Sequence, residues 1–115
     1  MGINKKTKWF RACHVNDVPA NGGVCIQYQN EQIAIFHFTS RQEWYATQNL
    51  CPHKQQMILS RGLIGETLSE AKVACPYHKN TFSLITGKCL SSSEIDVIKI
   101  YEIKIEDEFV FVACE

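Results

Sequence analysis

Short alternating runs of apolar and polar residues dominate the chain. Residues 8–13, Lys8-Trp9-Phe10-Arg11-Ala12-Cys13, have the character of a strand, and the turn formers Asp17-Val18-Pro19 and Asn21-Gly22-Gly23 follow them. Val24–Tyr28 and Ile33–Phe38, joined through Gln29-Asn30-Glu31-Gln32, predict a hairpin, and Glu43–Thr47 predicts a further strand. Val97–Ile105 carries β-branched residues interleaved with Lys99, Glu102 and Lys104; Glu106-Asp107-Glu108 then turns the chain into Phe109–Val112, the clearest hairpin in the sequence. No segment sustains a capped 3.6-residue period; a short helical turn near Ser91–Glu94 is the most that the pattern allows. The expected fold is therefore all-β and mostly antiparallel. Residues 50–90, which hold two of the three prolines, form a loop-rich subdomain set into that β framework.

At 115 residues and 13.1 kDa the chain fits a single domain spanning 1–115, and 45% hydrophobic residues suffice for a core. Trp9, Phe10 and Trp44 read as core filling. His14 and His37, in strand patterns with no cysteine nearby, read as packed or surface histidines. Twelve basic and 12 acidic residues cancel, and no basic stripe accompanies the aromatics, so nucleic acid is not an expected partner. No apolar run approaches the roughly 18 residues of a membrane helix; the longest candidate, Gln32–Phe38, is flanked by polar residues. Met1-Gly2-Ile3-Asn4-Lys5-Lys6 lacks the apolar stretch of a secretory signal, and Lys6 stands where a myristoylation pattern requires Ser or Thr. A cytoplasmic protein with reduced thiols is expected, so the six cysteines raise the question of which of them bind something. Gly62-Leu63-Ile64-Gly65 matches neither the Rossmann nor the P-loop spacing.

Two motifs stand out: Cys51-Pro52-His53 and Cys75-Pro76-Tyr77-His78, that is C-x-H, 21 residues, then C-x-x-H. Each supplies one thiolate and one imidazole, and each Cys precedes a Pro that biases it toward extended backbone. Two sulfur and two nitrogen donors suit zinc or an iron–sulfur cluster. Zinc modules usually pair like ligands at each end, whereas a Rieske [2Fe–2S] centre needs the mixture, two Cys on one iron and two His on the other. Cys13, Cys25, Cys89 and Cys114 read instead as small core residues.

With these loops the sequence resembles the Rieske family. The longer text, with Lys54 and Lys79 after the histidines, Leu59-Ser60-Arg61-Gly62, and Thr86-Gly87-Lys88-Cys89-Leu90, is most similar to the small subunit of cytoplasmic NAD(P)H-dependent nitrite reductase, over about residues 8–113. The resemblance implies a Rieske-type antiparallel β sandwich or barrel. It implies a [2Fe–2S] cluster on Cys51, His53, Cys75 and His78, and a role in electron transfer or assembly. It further implies a large-subunit partner that carries FAD, siroheme and a [4Fe–4S] cluster and reduces nitrite to ammonium. The extra cysteines that form a disulfide in cytochrome-complex Rieske proteins correspond to Gln56 and Tyr77 here. The hydroxyls that hydrogen-bond the cluster in those proteins give way to Lys79-Asn80-Thr81-Phe82, which implies a low potential.

Lys54 and Lys79 are either ordinary solvated lysines or a positive collar that steers docking. Residues 1–88 carry ten basic and five acidic side chains, and residues 89–115 carry two and seven, in keeping with the collar. Three alternatives stay open from sequence: a Rieske ferredoxin serving a ring-hydroxylating oxygenase, a zinc-binding interaction module, and a structural subunit that never loads its cluster.

Overall fold

The computed structural model describes residues 8–39, 42–52, 56–67, 70–76, 80–92 and 95–114. Among these the chain forms β1 (Lys8–His14), β2 (Gly22–Tyr28), β3 (Glu31–Phe38), β4 (Glu43–Gln48), β5 (Leu50–Cys51), β6 (Gln56–Met57), β7 (Leu63–Thr67), β8 (Glu70–Ala74), β9 (Thr81–Ser83), β10 (Ile100–Tyr101), β11 (Ile103–Glu106) and β12 (Phe109–Cys114). Two 3₁₀ turns, Val15–Asp17 and Leu59–Arg61, are the helical elements among the described residues, and no helix is long and apolar enough to cross a membrane. The antiparallel sheets are ordered β1-β12-β11, β10-β4-β3-β2, β5-β6 and β7-β8-β9. This is the all-β architecture that the hydropathy pattern predicts.

β3 explains how the layers stack. Side chains alternate across a strand, and both faces of β3 are buried. Ile33 and Ile35 pack with Val18, Ala46, Tyr101, Val110 and Val112 against the β1-β12-β11 sheet. Ala34, Phe36 and Phe38 pack on the other side with Leu59, Val73, Phe82 and Leu84 of residues 50–90. The uninterrupted apolar run Ile33–Phe36 is the signature of such a two-faced strand.

The predicted hairpins form, with tighter turns than expected. Gln29-Asn30 alone joins β2 to β3, because Tyr28 pairs with Glu31. Asp107-Glu108 joins β11 to β12 with φ of 51° and 70°, the double positive φ of a type I′ turn. The Val15 N–H donates to the Glu108 carbonyl at 3.0 Å, and His14 Nδ1 accepts from the Asn16 N–H at 3.0 Å.

Several expectations are corrected. The single strand over Val97–Ile105 is broken at exposed Glu102, because β10 belongs to one sheet and β11 to the other. The Glu102 carbonyl accepts from the Ala113 N–H (2.9 Å) as the chain crosses, while the Ile98 N–H is tied to the Gly87 carbonyl (2.8 Å). Trp9 does not fill the core: β1 turns Phe10 and Ala12 inward and leaves Trp9 37% exposed beneath Lys104 Nζ, 4.5 Å from its ring. Phe10 is partly buried and stacks on Tyr28; Trp44 is partly buried and stacks on His37, with ring centroids 3.9 Å apart in both pairs. Cys25 is exposed, since its neighbours Val24 and Ile26 take the inward face of β2. Cys13 and Cys89 are half-buried. Residues 50–90 hold more strand than their loop-rich sequence suggests, in β5 to β9. Ser91 and Ser92 are not helical, and the rest of the expected turn, with the side chain of Cys114, lies outside the described residues.

Candidate metal centre

Cys51 closes β5 and Cys75 follows β8 directly. Both are buried, 0% and 1% exposed, in one apolar cluster with Leu59, Val73 and Phe82, and neither forms a disulfide. His53, Lys54, Tyr77, His78 and Lys79 lie outside the described residues. What the structure supplies is the base of each loop. Cys51 pairs with Gln56 across β5-β6. The Cys75 N–H donates to the Asn80 carbonyl at 2.8 Å. In each motif a buried Cys is thus joined through its backbone to the fifth residue after it, and the sequence between the two contains one His.

Glycines hold the loop bases together. A Cβ on Gly62 would lie 2.3 Å from the carbonyl oxygen of Ala74, the residue before Cys75, so Gly62 lets the chain leaving the first loop pass against the strand entering the second. Gly87 has φ +84°, and a Cβ there would lie 2.2 Å from the Ile98 carbonyl oxygen. Ser83 closes the turn before Gly87: its hydroxyl donates to Glu70 Oε2 (2.6 Å) and accepts from the Ile85 and Thr86 N–H groups (3.1 Å each). Beyond Gly87 the chain returns to the second loop. The Leu90 N–H donates to the Thr81 carbonyl (2.6 Å), and Ser91 Oγ accepts from the Thr81 N–H (3.2 Å) and reaches Asn80 Oδ1 (3.3 Å).

The remaining described thiols, Cys13, Cys25 and Cys89, lie in other surroundings. Burial pushes the Cys13 thiol up, with Asp17 adding to the effect, and the partial burial of Cys25 pushes its thiol up as well. Cys89 Sγ lies 3.4 Å from Ser91 Oγ. Sequence reasoning missed Asn49, whose carbonyl accepts from the Ile58 and Leu59 N–H groups at 2.9 and 3.0 Å. Its one visible signal is its position two residues before Cys51.

The donor chemistry fits an inorganic centre: two sulfurs are sheltered from water at the core ends of matched loops, with an imidazole in each loop's sequence. The chain is 35% identical over 101 residues to the nitrite reductase (NADH) small subunit of Escherichia coli K12, covering 88% of this chain and 93% of that protein. It is 31% identical over 107 residues to a ferredoxin component of naphthalene 1,2-dioxygenase/salicylate 5-hydroxylase systems from a Ralstonia species, covering 93% and 96%. The solution structure of the E. coli protein NirD superposes with a TM-score of 0.84 at 32% identity, over 95% of this chain and 98% of that one. The family model of the Rieske-like [2Fe-2S] domain matches residues 8–113, and with loops, sheets and relatives in agreement the chain belongs to that family.

Proposed function

We propose that this chain is the small subunit of a cytoplasmic NAD(P)H nitrite reductase, in which Cys51 and Cys75 hold one iron of a [2Fe–2S] cluster and His53 and His78 hold the other. The observation that carries the ligand assignment is the pair of equal loops, each pinned between a buried Cys and the residue five positions on. When bound, such a group takes up and gives up one electron at a time. The protein's own share is to shield the sulfur side with Leu59, Val73 and Phe82 and to fix the spacing of the loops through Gly62. Residues 1–115 act as one unit, with 50–90 carrying the cluster and the flanks forming its base. Lys54 and Lys79 give the tips positive charge for docking. Nitrite is reduced to ammonium on a large subunit bearing FAD, siroheme and a [4Fe–4S] cluster. The likeness to the Ralstonia ferredoxin component supports a second reading, an electron carrier for a ring-hydroxylating oxygenase.

Anaerobic reconstitution followed by reduction tests the assignment. Wild type gives a rhombic spin-resonance signal, and Cys75→Ser loses it entirely while keeping its β-sheet circular dichroism. A colourless zinc protein would overturn the cluster. The potential falls near the low end of the Rieske range, on the order of −150 mV or below, and a strongly positive midpoint contradicts that. Capture of a siroheme-containing chain supports the nitrite reductase reading; capture of an oxygenase α subunit supports the second.

A further inference from the structure

We infer that Asn49 is a positioning residue for the first ligand loop, holding the chain that enters Cys51 and the chain that leaves the loop in fixed register. The inference rests on the cluster assignment proposed above. Asn49 is 2% exposed and all of its hydrogen-bonding groups are engaged. Its N–H donates to the Gln32 carbonyl (3.0 Å), extending the β3-β4 ladder past Gln48. Its carbonyl takes the Ile58 and Leu59 N–H groups, and Oδ1 takes the buried Ser60 N–H at 2.7 Å. Nδ2 reaches Gln32 Oε1 at 3.1 Å and Cys25 Sγ at 3.4 Å, which orients the amide with its oxygen toward Ser60.

One side chain therefore fastens three pieces: the β2-β3 hairpin, the strand that delivers Cys51 two residues later, and the 3₁₀ turn Leu59–Arg61. That turn leads directly into Gly62, whose backbone lies against Ala74 beside Cys75. The same amide thus fixes the first loop and, through Gly62, the spacing of the second. Outer groups that orient ligands typically lower metal affinity or activity by 10- to 100-fold when removed.

The experiment compares reconstituted wild type with Asn49→Ala, Gln32→Ala and Val112→Ala. The last opens a cavity in the opposite core and serves as a control for stability alone. Cluster bleaching under a chelator is followed in the visible spectrum, and amide hydrogen exchange is followed at residues 58–60 of the apoprotein. Asn49→Ala is expected to lose the cluster about tenfold faster than Val112→Ala and to open residues 58–60 to exchange, most of all Ser60, whose N–H loses its acceptor, while β11 and β12 stay protected. Gln32→Ala moves the same way by less. Equal bleaching of Asn49→Ala and Val112→Ala, or unchanged exchange at 58–60, overturns the inference. If Asn49→Ala does not fold, Gln32→Ala decides, and wild-type behaviour from it overturns the inference. Failure of wild type itself to take up a cluster overturns the ligand assignment and this role together, whereas an intact wild-type signal with unmoved variants overturns this role alone.

Discussion

The two sides of β3 are built in different ways. On the side of the β1-β12-β11 sheet, stability comes from strands of four to seven residues and interdigitating apolar side chains such as Ile33, Ile35, Val110 and Val112. On the side of residues 50–90, which carries the proposed ligands, the strands run two to five residues. Their ends are fixed by side chains bonded to backbone, as with Ser83, and by glycines lying against carbonyl oxygens. The first construction tolerates volume-conserving exchange of its side chains, because neighbouring apolar groups can repack around a new shape. The second does not, because a directional hydrogen bond needs its own donor and acceptor, and a carbonyl oxygen pressed against a glycine has no other rotamer to move to.

That contrast predicts two kinds of failure. Ile35→Ala removes a fully buried side chain on the first side and should cost about 2–5 kcal/mol, lowering the unfolding temperature while leaving the spectrum of a loaded centre unchanged. Gly62→Ala adds one methyl group and should cost about 1–3 kcal/mol, but it should also alter the spin-resonance line shape, because the methyl pushes the exit of the first loop away from Ala74. Equal spectral effects from the two variants would erase the distinction. Replacing Asp107-Glu108 by Asn-Gly supplies residues suited to two positive φ angles and should stabilise by about 1 kcal/mol in denaturant unfolding, without touching residues 50–90.

The smallest effect belongs to His37. Burial against Trp44 lowers its pKa from the ordinary 6.5, so the unfolded chain binds more protons than the folded one just below that value. Stability from this group is present above pH 6.5 and declines as the pH falls beneath it. His37→Phe should flatten the fall in unfolding temperature between about pH 7.5 and 5.5; an unchanged slope would remove His37 from the account.

The difference in construction also sets what could be read from the chain. β3 and the final hairpin are visible as apolar runs because burial alone makes them. The break at Glu102 is not: Ile100, Ile103 and Ile105 continue one alternation while the backbone changes sheets. β7 to β9 escape notice because Gly65, Ala71 and Ala74 give little hydropathy contrast, although Ala71 is fully buried. Cys51 and Cys75 stand out through the C-x-H and C-x-x-H spacing of their motifs. Asn49 does not, because a buried amide and a turn-forming amide have the same letter; only its hydrogen bonds tell them apart.

The pairing of Lys8 with Cys114 has a consequence for how the molecule comes to exist. β1 has no neighbour in its sheet until β12 emerges about a hundred residues later. Closing so long a stretch costs little more at equilibrium than closing a short one, since the entropy grows only with the logarithm of length, but it retards the search for partners. During synthesis β1 is therefore an unzipped edge, open to the wrong strand, and the rate-limiting act of folding should be the joining of β1 to β12.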